Sequence, residues 1–152
     1  PDAPGTLARL QHMGVASYNV AASVRLIVAQ RLLRRLCPHC RQPQDPRPQA
    51  QWLASLTPLD RQLLDPWLQN DPVLFEAVGC DPCQGGYAGR LGVFQVMPVS
   101  DTLQALLFAQ ANRQALAAQA ASESVRTLRQ SAWAKALQGL TSVREVLAHT
   151  SP

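Results

Sequence analysis

Two short stretches, Cys37-Pro38-His39-Cys40 and Cys80-Asp81-Pro82-Cys83, contain all four cysteines of this 152-residue chain. Both have the C-x-x-C spacing, which allows two thiolates to bind one metal ion at about 2.3 Å. The prolines, together with Gly79 before the second stretch, favour the tight turn that such a loop requires. We therefore expect one tetrahedral zinc ion with four ligands, which are Cys37, Cys40, Cys80 and Cys83.

The long gap between Cys40 and Cys80 makes a structural zinc site the favoured interpretation, because the ion would join two distant segments. Four thiolates leave no open position for water, so we predict no catalytic residue here. Other uses of the cysteines stay open at this stage. A redox-active pair needs only one exposed C-x-x-C at a helix start, and two disulfides would suit an exported chain. His39 could replace one cysteine, although four cysteines suffice.

Composition is that of an ordinary globular chain, with 47% hydrophobic and only 5% aromatic residues. The core should therefore consist mainly of Leu, Val and Ala. No apolar run approaches the roughly 20 residues that span a bilayer. The start lacks a signal peptide and an initiator methionine, so we expect the chain to begin inside a longer protein.

Positive charge is concentrated at the front of the chain. The net charge is +4, and residues 1–41 hold six arginines against one acid. Such a face can contact phosphate, nucleic acid or an acidic partner, or it can simply be solvated. A zinc-stapled nucleic-acid-binding module is thus an alternative function. It is less favoured, because the loop 41–79 is slightly acidic and rich in proline.

Periodicity predicts a mainly helical α+β fold. Apolar residues at 20, 24, 27, 28, 32 and 36 predict a helix over 19–36, after a short helix over 5–13. Residues 41–50 are predicted to form a loop, and Asp65-Pro66 should interrupt the helix that begins at Thr57-Pro58. Short strands are expected over 73–78 and 91–99.

The last third of the sequence predicts helices only. Ser100 is a candidate N-cap for a helix over 101–110, and further helices are expected over 112–121 and 123–138. Gly139 suits the position after a helix end. Ser142 with Glu145 predicts a capping box that opens a last helix, which ends at His149.

The residues around the cysteines resemble a known family. Residues 29–40, AQRLLRRLCPHC, and residues 79–94, which include GCDPC and GYAGRLGVF, resemble segments of type II secretion ATPases and type IV pilus-assembly ATPases (the GspE/PilB/HofB family). Residues 7–14 are similar to the stretch after that family's histidine box. Residues 139–147 are similar to its C-terminal motif. The ordered set covers nearly the whole chain.

The resemblance implies the C-terminal part of a RecA-like ATPase domain with a zinc-stapled subdomain and a C-terminal helical bundle. It implies three regions: a helical piece of the ATPase core over 1–36, a tetracysteine zinc subdomain over 37–99 and a helical subdomain over 100–152. The family hydrolyses ATP with Mg²⁺ in a hexameric ring. The implied partners are the missing N-terminal ATPase core, neighbouring subunits of a homohexamer and inner-membrane platform proteins, with no nucleic acid. The implied location is cytoplasmic, peripheral at the inner membrane.

Departures from the family pattern limit what this chain can do alone. It contains no G-x-x-x-x-G-K-[ST] loop, which in nucleotide-binding proteins holds the phosphates. We therefore expect no ATP hydrolysis from it, and a non-catalytic interaction scaffold remains a second alternative. Gln95 stands where the family usually has Glu. Arg9 and Arg31 are the candidates for contact with a nucleotide or a neighbouring subunit, although each could equally be a surface arginine.

Overall fold

The computed structural model describes residues 2–151, and within them eight helices and four strands confirm the α+β, mainly helical class. In chain order the elements are α1 Ala3–His12, α2 Ser17–Ser23, β1 Leu26–Leu36, β2 Gln42–Pro43, α3 Pro46–Ala54, α4 Pro58–Leu68, β3 Phe75–Glu76, β4 Tyr87–Pro98, α5 Asp101–Phe108, α6 Arg113–Ser122, α7 Leu128–Leu137 and α8 Val143–His149. None of these helices is both long and apolar enough to cross a bilayer.

The first of two compact units, the helical unit, comprises residues 2–30 and 94–127. Helices α1, α2, α5 and α6 pack together in it. Their core is aliphatic, and Leu7, Leu103, Leu107 and Leu116 are fully buried. At the start of α1 the N–H of Ala3 donates a hydrogen bond to a side-chain oxygen of buried Gln95 at 2.8 Å.

The second unit comprises residues 31–93 and 128–151 and holds α3, α4, α7, α8, β2 and β3. Helix α7 packs against both α4 and α8. Leu64, Leu74 and Val146 are fully buried there, with Trp133 almost so. Strands β1 and β4 form a two-stranded sheet, and each strand has one end in each unit. The division into 1–36, 37–99 and 100–152 stays a prediction.

The helix predicted over 19–36 is wrong, because most of that segment is strand β1. Only Ser17–Ser23 is helical. Within the strand Ile27, Ala29 and Leu33 are buried, which is the period-2 pattern of one sheet face. A short run rich in Val, Ile and Leu fits both periods, and pairing with β4 decides between them.

The loop predicted over 41–50 is also largely wrong. Strand β2 occupies part of it, and α3 begins at Pro46 with the Asp45 side chain accepting from the N–H of Arg47. Proline is well tolerated in a first helical turn, where its missing N–H would have no partner. Pro66 does not end α4, which continues to Leu68. A proline inside a helix removes the one hydrogen bond that its N–H would donate, and α4 nevertheless continues for two residues beyond Pro66.

Local capping signals are the best-confirmed predictions. Thr57 and Asp60 form a reciprocal capping box on α4, and the Ser100 hydroxyl accepts from the N–H of Leu103 at the start of α5. Gly139, at φ 73°, follows α7. Its N–H bonds to the carbonyl of Ala136 and that of Leu140 to the carbonyl of Lys135, which is a Schellman motif.

Candidate metal centre

The structure brings the four cysteine sulfurs together into one cluster. All of them lie within 4.8 Å of one another. The Sγ atoms are 3.7 Å apart for Cys37 and Cys80, 3.7 Å apart for Cys40 and Cys83, and 3.5 Å apart for Cys80 and Cys83. A disulfide has an S–S length of about 2.0 Å, so these are four free thiols and not two bridges.

An antiparallel strand pair and one further backbone hydrogen bond bring the two cysteine pairs together. Strand β2, just after Cys40, pairs with β3, just before the second cysteine pair, with Gln42 opposite Glu76. The N–H of Cys37 also bonds to the carbonyl of Gly86 at 2.9 Å. Residues 37–43 and 75–87 together are called the cysteine lobe below.

Position 86 requires glycine, because the backbone there lies close to Ala77 and Val78 in the same lobe. Its φ is 89°, in the left-handed region that side chains rarely adopt. A Cβ atom at this position would lie 2.6 Å from the Cβ of Ala77 and 2.7 Å from the backbone nitrogen of Val78. A larger residue here would therefore force a shift of the backbone at Ala77 and Val78, just before the second cysteine pair.

Backbone N–H groups point at two of the sulfurs. The N–H of Gly79 donates to Cys40 Sγ at 3.4 Å, and the N–H of Cys80 donates to Cys83 Sγ at 3.2 Å. Such donors stabilise a thiolate more than a thiol. The loop backbone therefore prepares these sulfurs for the charged form that binds a metal ion.

Three of the thiols have pKa values shifted from the ordinary cysteine value, and not all in the same direction. The pKa of Cys80 is raised to about 12, chiefly because its thiol lies against Cys83, and burial adds to the shift. Burial acts to raise the pKa of Cys83, but hydrogen bonds from the N–H and thiol of Cys80 outweigh it and lower the pKa to about 7. Burial also raises the pKa of Cys40. Like charges this close cannot all form without a cation among them.

A salt bridge that the sequence does not reveal fixes the strand leading to Cys37. The Glu145 carboxylate, 1% exposed, accepts from the Arg34 side chain at 2.6 Å and 2.9 Å and from the Arg34 N–H at 2.9 Å. The guanidinium carbon also lies 4.1 Å from the centre of the Tyr87 ring. Burial acts to raise the pKa of Glu145, but the hydrogen bonds and charge of Arg34 lower it overall.

Two further contacts connect the cysteine lobe with the turn before α8. The Tyr87 hydroxyl lies 2.8 Å from the Ser142 hydroxyl, and the Arg41 side chain donates to the carbonyl of Gly139. The Arg41 guanidinium also stacks on Phe75. Arg34 and Arg41 thus have partners other than the cysteine sulfurs. Glu145 bonds to Arg34, whereas only the Ser142 half of the predicted capping box is present, with Ser142 Oγ accepting from the N–H of Glu145.

The other candidate site residues lie outside the cluster. His39 is exposed between the first two cysteines and does not belong to the four-sulfur group. Arg9 is exposed on α1, in the helical unit, and Arg31 is half-buried on β1, in the second unit. Their assignment as nucleotide or subunit contacts stays a prediction.

Comparison with known proteins identifies the family. The profile of the family described as "Type II/IV secretion system protein" matches residues 1–148. The chain is 39% identical over 150 residues to the "Type IV pilus assembly ATPase PilB" of Acinetobacter baylyi, covering 99% of this chain and 25% of that protein. It is 32% identical over 149 residues to the "Type II secretion system ATPase E" of Vibrio cholerae, covering 97% of this chain and 27% of that protein.

The chain therefore belongs to the type II/IV secretion system protein family. Another relative, the "Type IV pilus assembly ATPase PilB" of Pseudomonas aeruginosa, is 39% identical over 146 residues, with 93% of this chain and 24% of that protein covered. The chain spans about a quarter of the length of the curated relatives it matches. The predicted family resemblance is confirmed.

Proposed function

We propose that this chain is the C-terminal part of a hexameric ATPase that powers type II secretion or type IV pilus assembly, and that its cysteine cluster holds one structural zinc ion. The observation that carries the zinc proposal is the convergence of four sulfurs from two segments more than 35 residues apart in sequence. The relatives match over nearly the whole chain, and their names support the assignment to a secretion or pilus ATPase.

The donor set and its spacing fit zinc. A tetrahedral ion with zinc–sulfur bonds of about 2.3 Å has ligand sulfurs about 3.8 Å apart. Three of the sulfur pairs here are at 3.5–3.7 Å. Cys37, Cys40, Cys80 and Cys83 would hold the ion. Four protein ligands leave no open position for substrate, so bound zinc would have a structural role. It would cross-link the two loops and neutralise the charge of the thiolates.

An apolar surface of the helical unit supports the proposal that the chain packs on a missing ATPase core of RecA-like fold. Leu26 and Val28 alternate on β1, and Phe94 and Val96 alternate on β4. All four side chains are 46–54% exposed. A row of half-exposed aliphatic and aromatic side chains on a sheet is typical of a face that another part of the protein covers. The C-terminal helical bundle implied by the family is part of the same proposal.

ATP and Mg²⁺ would bind in the rest of the full-length protein, because this chain has no phosphate-binding loop. The remaining partners in the proposal are neighbouring subunits of a homohexamer and inner-membrane platform proteins. The proposed location is the cytoplasmic face of that membrane. Arg9 and Arg31 are the proposed contacts with a nucleotide or an adjacent subunit.

The metal part of the proposal is tested by elemental analysis of the purified chain. We expect about one zinc per chain, and Co²⁺ exchanged into the site should give the strong visible absorption of a tetrahedral thiolate centre. His39→Ala is the matched control, because His39 lies in the same loop outside the sulfur cluster, and it should retain the metal. A metal-free protein with ordered cysteine loops would overturn the zinc assignment.

The ATPase part needs a separate experiment. ATP hydrolysis should be absent from the 152-residue chain and present in the full-length gene product assembled as a ring. Cells carrying full-length Cys37→Ser should lose pilus assembly or secretion, whereas cells carrying His39→Ala should keep it. Hydrolysis by the 152-residue chain itself would contradict the proposed division of roles.

A further inference from the structure

A cavity of about 340 Å³ lies beside the Arg34–Glu145 pair in the second unit, and none of the four cysteines lines it. Strands β1 and β4 and helix α8 supply its lining, which consists of Leu32, Leu33, Arg34, Arg90, Glu145 and His149. Leu33 is fully buried, whereas Leu32 is 51% exposed. The cavity thus combines an aliphatic surface with four groups that carry or can carry charge.

Positive charge is in excess in this cavity. The one carboxylate, Glu145, is saturated by Arg34, whose Nε and Nη2 both bond to the same carboxylate oxygen. Arg90 is exposed and forms no ion pair with any residue in the range 2–151. His149 Nε2, 3.5 Å from the other carboxylate oxygen, adds a further positive charge whenever the ring is protonated.

Arg34 is held in a fixed orientation as part of this arrangement. The salt bridge fixes one edge of its guanidinium and the Tyr87 ring covers one face. A guanidinium that is already held in one orientation loses little rotamer entropy when it binds a second anion. Arg90 lies on β4, at the same cavity, and has its donors available.

We propose that this cavity binds the carboxylate of an acidic side chain, flanked by an apolar residue, from a partner polypeptide. The carboxylate would accept charge-assisted hydrogen bonds from Arg90 and from the remaining Nη1 of Arg34. The apolar neighbour would lie on the exposed surface of Leu32. Charge complementarity and the mixed aliphatic and cationic lining argue for this chemistry, and they do so independently of the proposed ATPase role.

The probe is a blocked tripeptide, acetyl-Leu-Glu-Leu-amide, titrated into the zinc-loaded chain while the Arg90 side-chain N–H and Leu32 methyl resonances are followed by NMR. We expect saturable shifts in both groups at low ionic strength. The matched peptide with Gln in place of Glu should bind about tenfold more weakly or worse, since its neutral amide loses the charge assistance in the contacts with both Arg90 and Arg34. Shifts that do not depend on the carboxylate would overturn the proposal.

Two arginine variants separate a site from general attraction to positive charge. Arg90→Gln should weaken binding of the Glu peptide about tenfold. Arg35→Ala also removes one positive charge, but Arg35 lies on β1 outside the cavity lining. This variant should bind the Glu peptide with an affinity within about twofold of that of the wild type. Both arginines are exposed, so equal thermal midpoints are expected and show that each variant is folded. An equal loss in the two variants would reject the site.

Competing anions identify the occupant. Sodium acetate should compete only at concentrations well above that of the peptide, because it lacks the apolar contact with Leu32. Inorganic phosphate should compete no better than acetate. If phosphate displaces the peptide at equal concentration, the site recognises phosphate and the assignment to an acidic polypeptide segment is wrong.

Discussion

The helical unit and the cysteine lobe are ordered by different forces. In the helical unit the side chains of Leu7, Leu103, Leu107 and Leu116 are fully buried, so apolar burial stabilises the packing of four helices. In the cysteine lobe the buried side chains are few, and Cys37 and Tyr87 are the main ones. Hydrogen bonds and the proposed metal–sulfur bonds must position its loops. A segment with few buried apolar side chains thus needs another source of stability, which the proposed zinc cross-link would supply.

The largest expected effect is the loss of one ligand. Cys80→Ser should reduce bound zinc from about one ion per chain to near zero, because a structural site needs all four protein ligands. Amide hydrogen exchange should then accelerate in residues 37–43 and 75–87 while α5 and α6 stay protected. Elemental analysis and exchange mass spectrometry measure the two effects. A variant that keeps both its metal and its protection would remove the contrast between the two regions.

The converse experiment weakens the helical unit alone. Leu103→Ala should lower the free energy of unfolding by about 2–5 kcal/mol, since the buried side chain leaves a cavity. Its zinc content should not change. Phe108→Ala, at a side chain that is 57% exposed, is the control and should change stability by about 0.5 kcal/mol or less. Denaturant unfolding measures the free energy of unfolding of each variant. Loss of the metal from Leu103→Ala would show that the two regions depend on each other.

A third experiment tests the salt bridge that connects β1 with α8. Glu145→Gln should lower the free energy of unfolding by about 1–3 kcal/mol. This is less than the loss expected for a fully buried ion pair, because the Arg34 side chain is 52% exposed and solvent screens its charge. The folded-state pKa of Glu145 lies below its ordinary value of 4.5. The advantage of the wild type is therefore complete above the unfolded-state pKa, near 4.5, and disappears as the pH falls through the lower folded-state pKa.

The control for this pH profile is Glu76→Gln, at an exposed carboxylate on β3. It should change the free energy of unfolding by about 0.5 kcal/mol or less at neutral pH. Comparing each variant with the wild type at every pH cancels the acid-induced loss of zinc that both share. A difference for Glu145→Gln that stays constant from neutral pH to well below 4 would show that the carboxylate charge is not what stabilises the contact.

The smallest effect concerns a local cap. Thr57→Ala should lower the free energy of unfolding by about 1 kcal/mol, because the N–H of Asp60 loses its acceptor. Thr57→Ser keeps the hydroxyl and should recover most of that loss. The zinc content should be normal in both variants. Equal stability of the Ala variant and the wild type would mean that water replaces the cap without cost.

Prediction from sequence succeeded where the signal lies within a few residues. Thr57, Ser100 and Gly139 act as helix boundaries as expected, because capping depends on hydrogen bonds between groups three to five positions apart. The segment 19–36 failed, since its apolar spacing fits a helix and a strand equally well.

The sequence by itself determined the four candidate ligands and their pairing into two loops, because covalent geometry holds two cysteines that have two residues between them near one another. It also determined the family. Only the tertiary structure decided that the two loops meet, that β1 is a strand and that Glu145 binds Arg34, 111 residues away. Contacts over such separations depend on how the intervening elements pack, and no local spacing in the chain encodes them.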